Sequence, residues 1–99
     1  IYKRAVVEEL TTRNIPFVEE KRFSIKYNDK IIGFNLIDLL IFDKIILELK
    51  AVNQLEKFHL SQVLAYLKAT GSKLGLLVNF GGEKLEIKRV INDKLNISA

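Results

Sequence analysis

The stretch Ile37-Asp38-Leu39-Leu40-Ile41-Phe42-Asp43-Lys44-Ile45-Ile46-Leu47-Glu48-Leu49-Lys50 reads as two apolar strands joined by a tight turn at Phe42-Asp43. Strands this apolar should be buried on both faces, where a charge is costly unless it is paired or binds a metal. Asp38 nevertheless interrupts the first strand, and Glu48 and Lys50 interrupt the second. Side chains alternate along a strand, so Glu48 and Lys50 share a face. Hairpin pairing can bring Asp38 to the same face. Two carboxylates and an ammonium would then converge where the fold otherwise calls for leucines. Carboxylates suit hard divalent cations, and a lysine beside them can handle a water or a phosphate oxygen. The alternative is a cluster that serves only as an ion pair, although charged clusters are rarely the cheapest way to fill a core.

Working outward, Lys44 to Ala51 is the third of five predicted strands. Upstream, Tyr2 to Asn14 has helical periodicity, with Ala5, Val6 and Leu10 facing a core. Asn14 and Pro16 end that helix. Phe17 to Tyr27 alternates as a half-exposed strand. Asn28-Asp29 tolerates the left-handed geometry of a hairpin turn, and Lys30 to Ile41 is the returning strand. Gly33 in that strand marks a bulge or a close backbone approach. Downstream, Glu56 to Thr70 is a helix stopped by Gly71, with Leu60, Val63, Leu64 and Leu67 as its buried stripe. Ser72 to Asn79 and Leu85 to Val90 are strands, the latter alternating Leu85 and Ile87 with Glu86 and Lys88. A frayed tail or terminal turn follows from Asn92. The strand–helix–strand unit from Lys44 to Asn79 predicts a parallel pair, and the first three strands an antiparallel meander. The fold class is α/β: a mixed five-stranded sheet flanked by helices, in the order helix-strand-strand-strand-helix-strand-strand.

Composition narrows the chemistry. The 99 residues suffice for one small domain, and at 48% hydrophobic the chain is globular. The formal net charge of +4 suits a polyanionic partner without identifying one. There is no cysteine and only one histidine, which excludes disulfides, thiolate metal sites and multi-histidine zinc sites. No apolar run reaches the roughly 20 residues needed to span a bilayer, and the start lacks a signal-peptide pattern. A cytoplasmic location is the expectation. With no methionine in the chain, Ile1 is not expected to be the natural start, and residues 1–99 are expected to be one domain lacking some N-terminal sequence.

On the second helix, His59, Gln62 and Tyr66 form a polar stripe beside the apolar one. Spacing alone favours a boundary stripe where helix meets sheet, and His59 reads as an exposed or capping residue. Lys68, Lys73, Lys88 and Arg89 could form a phosphate-attracting rim, or could be ordinary exposed lysines and an arginine.

The spacing Asp38-(nine residues)-Glu48-Leu49-Lys50 resembles the metal-site signature of the PD-(D/E)XK nuclease superfamily. Tyr2…Glu9-Leu10…Asn14-Ile15-Pro16-Phe17, Asp38-Leu39-Leu40, Glu48-Leu49-Lys50-Ala51-Val52, Gln62…Tyr66-Leu67-Lys68-Ala69-Thr70-Gly71, Gly75-Leu76-Leu77-Val78-Asn79-Phe80-Gly81 and Leu85-Glu86-Ile87-Lys88-Arg89 resemble the GxxExxY protein family within it. Tyr2 fits that family's tyrosine; its glycine and glutamate would lie upstream of the chain. The resemblance implies a restriction-endonuclease-like core and a nuclease hydrolysing phosphodiesters. Asp38, Glu48 and Lys50 would be catalytic, and Asp38, Glu48 and the Leu49 backbone carbonyl would ligate Mg2+ or Mn2+. Gln62-(three residues)-Tyr66 resembles the QxxxY motif of RecB-type exonucleases, which implies substrate binding. The implied partner is nucleic acid, DNA first, with no membrane; oligomeric state stays open, a homo-oligomer included. The competing reading is a non-catalytic module that uses a nuclease fold to bind nucleic acid or a protein.

Overall fold

The computed structural model describes residues 1–93. Helix α1 spans Tyr2–Thr12 and α2 spans Lys57–Thr70; the strands are β1 Phe17–Tyr27, β2 Lys30–Ile41, β3 Ile45–Lys50, β4 Leu74–Asn79 and β5 Glu86–Ile91. Every predicted element is present, with ends one or two residues shorter in most cases. Of the tail expected from Asn92, all beyond Asp93 lies outside the described residues. Asn92 itself is buried, and its N–H donates to the Lys73 carbonyl at 2.9 Å.

The sheet runs in the order β1-β2-β3-β4-β5. β1–β2, β2–β3 and β4–β5 are antiparallel, and β3–β4 is parallel. A parallel pair needs a crossover, and α2 is that crossover. The β1–β2 and β2–β3 hairpins turn through two residues with positive φ, Asn28 (49°) with Asp29 (63°) and Phe42 (54°) with Asp43 (59°). This geometry matches the twist of the flanking strands. The β1–β2 register shifts so that Ile25 faces Gly33 and Lys26 faces Ile31, leaving Ile32 as the extra residue beside Gly33.

Two cores lie on opposite faces of the sheet. On one, Ile37, Leu40, Ile46 and Leu77 meet Val63, Tyr66 and Leu67 of α2. On the other, Leu39, Ile41 and Leu47 are covered by Val6, Val7 and Leu10 of α1. Ala5 is exposed and Val7 takes the place expected for it, because α1 lies on a stripe one residue further round. The first helix ends in a Schellman motif: Asn14 has φ 56°, Ile15 N–H donates to the Leu10 carbonyl, and Asn14 N–H donates to that of Thr11. Gly75 sets how closely α2 approaches, since a Cβ there would lie 2.6 Å from Val63 Cγ1. On β5 the expected facing fails. Leu85 and Ile87 are exposed and Val90 is buried, because the core under α1 includes no β5 residue.

Candidate metal and phosphate site

β2 and β3 pair only as far as Leu39 and Leu47. Beyond that point, side chains replace the ladder. Asp38 N–H donates to Glu48 Oε1 at 3.0 Å, and Leu49 N–H donates to Asp38 Oδ2 at 2.8 Å. Each carboxylate thus satisfies a backbone donor of the opposite strand and is held by it. β1 is irregular at the same level: Glu20 has φ 49°, and the β1–β2 register skips from Glu19–Leu39 to Lys21–Ile37. Ile37 and Leu40 lie in one core although they are three residues apart, so β2 abandons strict alternation at Asp38.

Glu48 is only 5% exposed. Burial pushes its carboxyl up to about 7 from the ordinary 4.5; the charge of Asp38 pushes the same way, while the Asp38 N–H and the Lys50 ammonium oppose it. Lys50, next but one on β3, turns to α2, where its Nζ donates to Gln62 Oε1 at 3.2 Å. One turn on, Tyr66 is buried with its ring edge-on to Phe23, centroids 5.4 Å apart. Burial raises the Tyr66 phenol above its usual range, and the negative charges of Glu48 and Asp38 raise it further. The structure therefore brings Asp38, Glu48, Lys50, Gln62 and Tyr66 together where β3 runs out and α2 passes. His59 stands apart as a cap, its Nδ1 accepting the Glu56 N–H at 2.8 Å. Lys68, Lys73, Lys88 and Arg89 do not form one basic rim, because Lys88 and Arg89 are successive on β5 and face opposite sides of the sheet.

A family model of the PD-(D/E)XK nuclease superfamily matches residues 1–90. The chain belongs to the PD-(D/E)XK nuclease superfamily. No curated protein matches it. Among solved structures, the crystal structure of SSO0001 superposes with a TM-score of 0.71 at 18% identity, over 92% of this chain and 48% of that one. The chain thus spans about half the length of that structure, and the likeness establishes the restriction-endonuclease-like fold. PD-(D/E)XK nucleases typically use divalent metals, and the donors here fit one. They are all oxygens, each carboxylate is pinned through one oxygen, and the buried Glu48 sits beside a half-buried Asp38 whose charge disfavours its own. Among the described residues no third acidic, histidine or cysteine side chain joins them. No helix among those residues is long and apolar enough to cross a membrane.

One residue beside the candidate site carries no obvious signal in the sequence. Asn79, fully buried at the end of β4, accepts from Val52 N–H (2.9 Å) and Gly81 N–H (3.1 Å) and donates to the Val52 carbonyl (2.8 Å) and Glu86 (2.9 Å). Phe80 N–H donates to the Lys50 carbonyl at 2.9 Å. These bonds anchor the chain immediately after Lys50. The available hint was an asparagine closing an apolar strand before Gly81-Gly82, where a buried amide must find several partners.

Proposed function

We propose that the chain is a metal-dependent nuclease that hydrolyses phosphodiester bonds of nucleic acid, DNA first. The observation that carries this reading is the mutual clamp of Asp38 and Glu48 beside Lys50. The clamp holds the buried Glu48 carboxylate against the half-buried Asp38 carboxylate, an arrangement that a hard divalent cation relieves. Asp38, Glu48 and the Leu49 carbonyl would hold Mg2+ or Mn2+. When bound, the ion supplies a Lewis acid for the phosphate and lowers the pKa of a bound water. Asp38 and Glu48 keep their positions through the backbone N–H groups they accept. Lys50, oriented by Gln62, places an ammonium where it can donate to a phosphate oxygen or hold the attacking water. Tyr66 offers a phenol to the same space.

Within the superfamily, the reading extends to the GxxExxY family. Tyr2, the tyrosine of that motif, stacks on Phe80 with centroids 4.6 Å apart and planes 4° apart. That contact sets the N-terminal end of α1 beside the strand ends that carry Lys50. The test is cleavage of labelled single- and double-stranded DNA with Mg2+ or Mn2+, and with Glu48→Gln as control. Metal-dependent cleavage by the wild type alone supports the reading. Binding of nucleic acid that ignores chelator, with no cleavage under any metal, supports the non-catalytic module instead.

A further inference from the structure

A groove of about 470 Å3 opens between α2 and the β1–β2 hairpin. Phe23, Lys26 and Asn35 line it from the hairpin, and Ala65, Tyr66 and Ala69 from the helix. Tyr66 belongs to both places: its ring walls the groove against Phe23, and on α2 it lies one turn beyond Gln62, whose Oε1 accepts from Lys50 Nζ at 3.2 Å. The groove therefore adjoins the site. Its depth on the helix side comes from Ala65 and Ala69, one turn apart, where larger side chains would fill the space.

The lining has the chemistry of a base pocket. Two aromatic rings and two alanines offer apolar contact, the Asn35 amide can both donate and accept, and Lys26 is the cation at the rim. No carboxylate lines it, whereas the cleft at Asn53 and Gln54 carries Glu83 and Glu86, and that beside Lys3 and Arg4 carries Glu8, Glu19 and Glu20. A polyanion arriving at the site meets least repulsion on the groove side. A base inside a duplex has its faces stacked and its edge paired; an unpaired base has both free for rings and amide.

We infer that the groove holds an unpaired nucleotide adjacent to the scissile phosphate, and that the substrate is single-stranded nucleic acid. The inference rests on the nuclease reading for the word scissile, but the groove can be tested without catalysis. Ala69 is exposed, so Ala69→Leu fills the groove while removing no contact; Asn35→Ala removes the amide. Fluorescence anisotropy is read with a labelled short oligonucleotide in calcium buffer, single-stranded as DNA and as RNA, and as a DNA duplex. The expected result is that one single-stranded probe binds more tightly than the duplex. Each variant should weaken that binding by about tenfold, the scale of one stacked base, and leave duplex binding unchanged. Equal affinity for single strand and duplex overturns the inference, as does wild-type affinity in Ala69→Leu. If groove-dependent binding holds but the wild type cleaves nothing with Mg2+ or Mn2+, the catalytic reading fails and the groove stands.

Discussion

Replacing Glu48 with glutamine should make the protein more stable above neutral pH, and the size of the gain follows from where the carboxyl sits. In the folded chain Glu48 keeps its proton up to about pH 7, against an ordinary value of 4.5. Between those two values the folded state holds a proton that the unfolded state has released. The unfolded state binds fewer protons, so stability falls as pH rises through this window and levels off above about 7. At roughly 1.4 kcal/mol for each tenfold step in the proton equilibrium, the metal-free protein loses about 3 kcal/mol across it. That is a large share of the roughly 5–15 kcal/mol typical of a domain.

Glutamine keeps the shape, can accept the Asp38 N–H through its carbonyl, and can donate its amide toward Asp38 in place of the acid proton. It does not titrate. The assay is urea unfolding followed by far-UV circular dichroism, since the chain has no tryptophan, from pH 4.5 to 8 in chelator. Wild type should lose its roughly 3 kcal/mol relative to Glu48→Gln across the window and be the less stable protein at pH 8. If the two stability curves run parallel, Glu48 is not the titrating group and the buried-pair reasoning is wrong.

Lys50→Ala should abolish cleavage yet retain Mg2+ binding by calorimetry, because an ammonium does not ligate the ion; a loss of affinity equal to that of Glu48→Ala would contradict this. Gln62→Ala, at an exposed position, should change stability by less than about 0.5 kcal/mol while slowing turnover. Several kcal/mol of destabilisation with unchanged turnover would make the Lys50–Gln62 bond purely structural. Asn79→Ala strips partners from Val52 and Gly81 and should cost about 3 kcal/mol or more, with a fall in activity as the chain after Lys50 loosens; a neutral urea midpoint would refute it. Gly75→Ala forces Val63 and α2 away from the sheet and should cost about 1–3 kcal/mol by overpacking, read by the same unfolding assay.

Much of this architecture is legible in the sequence because it rests on local chemistry. Asn14, Asn28-Asp29 and Gly71 each adopt the left-handed backbone that their residue types tolerate, so element ends could be placed within a residue or two. The parallel β3–β4 pair follows from a helical stripe lying between two apolar strands. What was not legible depends on what covers each face. Leu85 and Ile87 alternate like core residues, yet α1 does not cover them and they face solvent. Ala5 and Val7 are both apolar, and only the rotation of α1 on the sheet decides between them. Lys88 and Arg89 are adjacent in sequence but divided by the sheet. Asn35 and Phe23 gave no sign of a groove, because the groove is defined by the alanines facing them on α2.

The site and the irregularity of the sheet are one feature. A regular β2–β3 ladder continuing past Leu39 and Leu47 would pair the Leu49 N–H with a β2 carbonyl, turn the Asp38 N–H toward β1, and leave the carboxylates free to rotate. Instead the ladder stops, β1 kinks at Glu20, and the two carboxylates take over the backbone donors. The exchange fixes each carboxylate through one oxygen, which free rotamers would not do. It also explains why apolar residues do not replace them. Leucine at 38 or 48 would remove an ionisable group from a half-buried or buried position, but it would leave a backbone N–H of the opposite strand without an acceptor, at about 1–3 kcal/mol each. A double Leu variant could relax into a regular ladder, whereas either single variant could not. Asp38→Leu and Glu48→Leu should therefore each destabilise by more than the pair together. Additive losses in the double variant would show that the ladder ends there for reasons other than the carboxylates.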